Sequence, residues 1–335
     1  MVISEELERR KAAAAAVQRN AVISHAAANY SSGGLKRSPA ELLWLNKRGC
    51  PIGTVPIRRR HRHHHHSLED DDVKTNTESH LDFAGVIVGK APSGQFTGAK
   101  ATMTIWNPIL RGDNQYSSAA LYLDNIGDNI HIRAGWIVHP TLYGDSRTRL
   151  FSRWTREDGD YGTTGCYNNH CPGFVVFSNK IPLDYPFPNM SQFEGDQFDT
   201  TIDVFQSASG DWVLSVDEET LGIWTAPIFS SMTSAATQLR FGGECFKPEG
   251  QDTSPEMGSG RFSNGQYDKT CYMRRVSYYD SIYGSNVVSD DMVQLHDSRC
   301  YYEGSQGYNF EDDWYGYSFM FGGAGKEDEV RCLGD

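Results

Sequence analysis

From about Leu81 onward the chain alternates apolar and polar residues in short segments separated by Gly, Asn, Asp and Pro. They include residues 101–106, 118–123, 130–138, 173–177, 200–205, 211–216, 239–246, 271–279 and 315–323. A period of two places alternate side chains on opposite faces of a strand. Such a series predicts a meander of antiparallel strands, each with one buried face. The simplest packing for a domain of this size is an all-β, two-sheet antiparallel β-sandwich over 81–335. No helix of weight is predicted after residue 81. Before it the texture differs. Residues 1–49 read as helix, then a Ser/Gly loop, then a short amphipathic helix from Pro39 to Asn46. Residues 61–80 read as a linker of basic, His and acidic runs with nothing to bury.

Two of the predicted strands share a design. In 131–139, Ile132, Ala134, Trp136 and Val138 form an apolar face, and His131, Arg133, Gly135, Ile137 and His139 lie opposite. In 239–246, Leu239, Phe241, Gly243 and Cys245 face the core, while Arg240, Gly242, Glu244 and Phe246 face away. Each strand thus sets one ionisable group, Arg133 or Glu244, two residues from a glycine on its non-core face. A glycine leaves open floor on which a ligand backbone can approach. The same pattern also describes two ordinary solvent-facing charges.

Composition narrows the field. The 335 residues include 33 Gly, 12% are aromatic, and the formal net charge is -12. That sign argues against nucleic acid as the main partner. The charge is uneven: residues 1–66 carry 12 Lys and Arg against 4 Asp and Glu, and the rest carries 19 against 39. A basic leader and an acidic body attract each other. No stretch is long enough to span a membrane as a helix. The N-terminus has acidic residues where a signal peptide needs basic ones, so either the protein stays inside the cell or this sequence lacks its true start, and the cysteines and sequons favour the second. Of seven Cys, six fall in the body (Cys166, Cys171, Cys245, Cys271, Cys300 and Cys332), an even set that suits a disulfide framework in a secreted protein. Cys166 and Cys171 bracket a loop that a local disulfide could close. Asn29 and Asn189 head N-glycosylation sequons. No Ser sits in a nucleophile elbow. His131, His139, His170 and His296 have no metal-ligand spacing, and the run His63–His66 reads as solvated linker, so neither metal nor cofactor is expected.

A set of motifs then appears in one order: Ala134-Gly-Trp136, Leu142-Tyr-Gly-Asp145, Trp154-Thr, Thr164-Gly-Cys-Tyr-Asn168, Cys171-Pro-Gly-Phe-Val175, Gly242-Gly-Glu244 and Glu256-Met-Gly-Ser-Gly260. Ahead of them stands LWLNKRGCPIGTVPIRR, residues 43–59. Together they resemble the neprosin family of glutamic-class peptidases, best known in flowering plants. The resemblance implies a partial activation peptide over 1–60, in which Cys50 lacks the family's usual upstream Cys. It implies a β-sandwich with a cleft across one sheet and two catalytic glutamates on its concave face. One is Glu244. The other position, before Ala-Gly-Trp, is held here by Arg133. Gly135 and Gly242 would then line the cleft. A Cys300–Cys332 pair is implied as well. Cys245 and Cys271 remain, either as a third disulfide or as buried free thiols. The family's members are acid-active endopeptidases, with cleavage after proline in the best-studied one, and are secreted or vacuolar.

Paired carboxyls divide the work of hydrolysis because both cannot ionise cheaply, so one stays protonated and donates to the leaving amine. An arginine keeps its proton at any working pH and is a poor donor. Loss of general acid–base participation costs about 10²–10⁴ in rate, roughly 3–5 kcal/mol of barrier. The expected protein is therefore a glutamic endopeptidase homologue with weak or absent activity on peptide or protein substrates, Pro-rich ones among them. Salvage is conceivable through Glu244 as base with Arg133 on an oxyanion, or through Asp145 or Glu256 as a replacement acid. The protein's own basic propeptide is the other expected partner, held less firmly at acidic pH. The alternative is a non-catalytic extracellular protein that binds peptides or glycans in the same cleft.

Overall fold

A computed structural model describes residues 50–58 and 80–325, apart from 52, 90, 92–93, 128–129, 157–163, 230–231, 233–234, 263–264, 281–283, 288–292, 297–299 and 309–314. Two antiparallel sheets form a sandwich, as expected. The first has seven strands, in the order β14 (Val293–His296), β1 (His80–Val88), β11 (Gln238–Lys247), β3 (Tyr116–Asn125), β4 (Ile130–Val138), β5 (Arg149–Arg156) and β6 (Thr164–Tyr167). The second runs β15 (Tyr302–Tyr308), β16 (Tyr317–Gly322), β12 (Cys271–Asp280), β2 (Phe96–Thr104), β8 (Asp199–Gln206), β9 (Trp212–Val216), β10 (Glu219–Trp224) and β7 (Phe174–Val176), with β13 (Gly284–Val287) paired to β12. Among the described residues, helix is confined to one α-turn, α1 (Pro140–Tyr143), and a 3-10 turn at Ala226–Ile228. Gly144 ends α1 at φ 78, a left-handed cap that glycine adopts without a Cβ penalty. None of these helices is long and apolar enough to cross a membrane.

The apolar face predicted for each site strand is the one that packs between the sheets. Leu121, Ile132, Ala134, Trp136, Leu239 and Phe241 join Met103, Val204, Trp212 and Phe319 of the opposite sheet in one core. Trp136 also bridges the layers, because its indole N–H donates to the Thr104 carbonyl at 2.7 Å. A buried indole needs such a partner.

Cysteine chemistry divides. Cys166 and Cys171 are bonded across the predicted loop, with Cα atoms 6.0 Å apart. Cys300 is in a disulfide too, and Cys332 lies outside the described residues. Cys245 and Cys271 are not bonded to each other and stay as buried free thiols, which corrects the third disulfide. They sit on strands of different sheets, and the Glu256–Gly258 stretch packs against both. The Cys245 thiol donates to the Glu256 carbonyl at 3.5 Å, while a Cβ on Gly258 would lie 2.5 Å from that of Cys271. Each sulfur sits beside a hydroxyl instead: Cys245 Sγ lies 3.5 Å from Ser117 Oγ, and the Thr104 hydroxyl lies 3.4 Å from Cys271 Sγ. Burial raises both thiols, Cys271 to about 12, so neither forms a reactive thiolate. Asn29 and His63–His66 lie outside the described residues. Asn189 is half-buried in an irregular stretch, and the hydroxyl of its sequon's Ser191 accepts from the Phe198 N–H at 2.9 Å.

The β9–β10 hairpin carries a titratable turn. Asp217 and Glu218 occupy it with φ 47 and 71, the paired left-handed geometry that matches strand twist. Burial pushes the Asp217 carboxyl up to about 7, against hydrogen bonds from the Thr201 N–H and the Thr200 hydroxyl, with Asp199 and Glu218 adding to the rise. A folded-state carboxyl above its unfolded value gives stability that is full below about pH 4 and is lost as pH rises toward 7. Asn tolerates the left-handed backbone and keeps an acceptor for Thr201. Asp217→Asn should therefore raise the melting temperature at pH 8, and the gain should vanish near pH 4. Parallel thermal melts at the two pH values check this.

Candidate active site: a buried Arg–Glu pair

Strand register assembles the site. Phe83, Glu244, Ser118 and Ile137 are direct neighbours across β1, β11, β3 and β4. Four residues along each strand, Ile87, Arg240, Tyr122 and Arg133 form a parallel row, continued by Arg153 on β5 and Tyr167 on β6. Between the rows lie Gly85, Gly242, Ala120 and Gly135. Their lack of bulk has a cause within the sheet itself. A Cβ on Gly135 would stand 2.0 Å from the Ala119 carbonyl oxygen, and one on Gly242 would stand 2.3 Å from that of Ala84. The glycines expected as ligand floor are thus fixed first by the close approach of neighbouring strands.

Arg133 and Glu244, on different rows and separated by β3, meet across this floor. Arg133 Nη1 donates to Glu244 Oε1 at 2.6 Å. Both are buried, at 8% and 2% exposure, which removes the reading of two solvent-facing charges. Burial alone would weaken the Arg133 charge, but the Glu244 carboxylate more than offsets it, and the guanidinium is held more firmly protonated than usual. Its carbon lies 5.2 Å from the centre of the Tyr122 ring, and that of Arg240 lies 4.6 Å from the same centre. Arg240 is paired in turn with Asp124 at 2.7 Å. Among these arginines His131 is kept neutral: burial pushes its pKa well down, and Arg133, Arg153 and Arg240 add to the effect.

One site residue escaped the sequence reading. The Tyr116 hydroxyl donates to the same Glu244 Oε1 at 2.9 Å. Its ring stacks on Phe246 and on His139, both at 5.3 Å between centres, so the hydroxyl is held in place. Tyr116 belongs to a second aromatic cluster on this face with Phe83, Tyr122, Tyr143, Phe151, Tyr167 and Phe246. The period-two signal does reach it, since Tyr116, Ser118, Ala120 and Tyr122 alternate on β3. On the pair itself Glu244 Oε2 and Arg133 Nε are buried and have no hydrogen-bond partner among the described residues, as is also the case for the Tyr122 hydroxyl and His131 Nε2.

The candidate replacement acids are engaged with arginines. Asp145 bonds Arg147 and Arg149; burial opposes its charge, but those bonds outweigh it and hold its carboxyl below the usual range. Glu256 pairs with Arg111 at 3.1 Å and accepts from the Ile109 N–H. Neither hydrogen-bonds Glu244. The Thr-Gly-Cys-Tyr-Asn motif is structural here: Asn168 binds the Ser152 N–H at 2.7 Å, the Tyr143 hydroxyl and Asp184, which also bonds His170. No group of three or more His, Cys, Asp or Glu is placed to hold a metal among the described residues.

Residues 50, 51 and 53–58 lie on the domain. Cys50 donates its N–H to the Asn179 carbonyl at 2.7 Å, and the Asn179 amide returns a bond to the Cys50 carbonyl. Pro56 is buried, and Arg58 donates to the Tyr143 carbonyl at 2.5 Å with its guanidinium over the Tyr143 ring. Their described hydrogen bonds reach backbone carbonyls rather than carboxylates.

This is the site of a two-sheet β-sandwich whose acid residue projects from one sheet, away from the inter-sheet core. The chain belongs to the neprosin family, whose model, described as Neprosin, matches residues 113–324. Similar solved structures include scytalido-glutamic peptidase with a peptide-based transition-state analogue, at 11% identity and TM-score 0.35, covering 73% of this chain and 98% of that one. Another is a β-porphyranase from the human gut bacterium Bacteroides plebeius, at 9% identity and TM-score 0.15, covering 52% and 53%.

Gly135→Ala should cost about 1–3 kcal/mol of stability, the range for forcing atoms into packed space. Urea unfolding of the variant and the parent measures this. An unchanged midpoint would mean that the strands part without strain.

Proposed function

We propose that this protein is a glutamic-peptidase homologue whose hydrolytic chemistry is disabled at Arg133 and which retains an extended-peptide site on its seven-stranded sheet. The observation that carries the reading is the buried 2.6 Å pair between Arg133 and Glu244. Hydrolysis needs one group to take a proton from water and another to give one to the leaving amine. Glu244 Oε1 already receives two donors, Arg133 and Tyr116, and among the described residues no second carboxyl hydrogen-bonds it. Arg133 does not release its proton in any usable range. The base has a place in this arrangement and the acid has none.

The remaining expectations rest on family membership and belong to the same proposal. Residues 43–59 are read as the end of an activation peptide, supported by the contacts of Cys50 and Arg58 with the domain. An extracellular or vacuolar location is supported by the Cys166–Cys171 disulfide, since such bonds persist in oxidising compartments. Post-proline preference is carried over from the family resemblance alone.

The parent protein should show no cleavage of a proline-containing peptide at acidic pH above the uncatalysed blank. Arg133→Glu should raise the rate by about 10²–10⁴, the worth of a general acid. Glu244→Gln added to that variant should abolish the gain. Cleavage by the parent that survives Glu244→Gln would overturn the assignment of the site. Cleavage by the parent that depends on both Glu244 and Arg133 would establish salvage chemistry and overturn the inactive reading.

A further inference from the structure

The two orphan atoms of the pair point to a ligand chemistry. Glu244 is met by Nη1 of Arg133. In a guanidinium, Nη1 lies on the side of Cδ, whereas the Nε hydrogen lies beside Nη2. The edge formed by Nε and Nη2 is therefore not the one facing Glu244, and Nε is buried without a partner among the described residues. That edge is the planar two-donor fork that matches a carboxylate. On the other partner of the pair, Glu244 Oε2 is a buried acceptor without a donor among the described residues. Leaving such groups unmet is costly, and two of them on one ion pair call for an explanation.

We propose that the site binds a peptide through a carboxylate, with the Nε–Nη2 edge of Arg133 receiving the carboxylate and Glu244 Oε2 accepting an N–H of the same ligand. This deepens the reading of a non-hydrolytic peptide site and rests on it. The guanidinium that holds the pair together on one edge becomes the recognition element on another. Its plane is supported by Tyr122 beneath it, 5.2 Å from ring centre to guanidinium carbon. Glu244 is fixed by Tyr116, so Oε2 is presented in one orientation. Arg153, the register partner of Arg133 on β5, brings a second guanidinium to the same row. An amino acid with a carboxylate and a nearby backbone N–H meets both orphan atoms. A free peptide C-terminus and an internal Asp or Glu each supply that combination.

The test is fluorescence anisotropy on the full chain with labelled proline-containing peptides of one sequence in three forms. One has an internal Glu and an amidated C-terminus. One has Gln in its place and a free C-terminus. The third has Gln and an amidated C-terminus. At least one acidic form should bind about tenfold or more tightly than the neutral one, the order expected for a charge-assisted pair over a neutral bond. Which form wins identifies the source of the carboxylate. Arg133→Lys keeps the charge and removes the fork, and should erase most of that preference while leaving the melting temperature near that of the parent. If this variant does not fold, the three-peptide comparison on the parent decides alone. Equal binding of all three forms, or a preference that survives in folded Arg133→Lys, would overturn the carboxylate assignment. Cleavage of the peptides would instead overturn the functional reading beneath it.

Discussion

Two opposite charges taken out of water must be held together, and the face of the seven-stranded sheet is built around that requirement. Removing one partner of a buried pair leaves the other charge uncompensated, at a cost of several kcal/mol. Arg133 and Glu244 meet this constraint by direct contact and by what surrounds them. Tyr116 gives Glu244 a second donor, and Tyr122 lies under the guanidinium. The aromatic cluster lies on the same face, and the pair itself keeps little exposure, which strengthens the attraction and raises the cost of breaking it. The row of Gly85, Gly242, Ala120 and Gly135 is part of the same construction. Only with small residues there can a long arginine side chain from one row reach a glutamate on the other.

This arrangement makes β3, β4 and β11 strands with two covered faces of different character. One face is the aliphatic and Trp-rich interior between the sheets. The other holds ionic and hydroxyl groups under aromatic rings. A strand buried on both sides often reads as a continuous apolar run. Here the alternation survives because the second face is polar at its centre, so the sandwich and the inward faces of β4 and β11 were legible. The pattern does not say whether a polar face is wet or dry. Arg133 and Glu244 look the same in sequence as two surface charges, and only the rings brought over them from other strands decide the matter.

Other features escaped for equally definite reasons. Tyr116 sits at the very start of β3, where periodicity is weakest, and its role depends on stacking with His139 and Phe246 from two other strands' ends. Cys245 and Cys271 have the parity and strand placement of a disulfide. What separates them is the Glu256–Gly258 segment, a loop whose path no spacing rule foretells. The Cys166–Cys171 bond was legible because a short loop constrains its own ends. The place of Glu244 came from family motifs, whereas its environment came from strand register.

Stability and chemistry separate cleanly at this site. A carboxyl pair sharing a proton is a strained arrangement, which a fold must stabilise from elsewhere. An arginine opposite the same glutamate relieves the like-charge conflict, so on the proposed reading the exchange that removes the proton donor also settles the local electrostatics. An intact, well-packed pocket is then no sign of activity in this scaffold. The buried pair at 2.6 Å, the stacked Tyr116 and the tight glycine row make a stable site, and each would look just as orderly with or without turnover. What separates the two cases is the protonation state that the pair can reach. Arg133 fixes it, because a guanidinium beside a carboxylate has no accessible neutral form through which a proton could be passed.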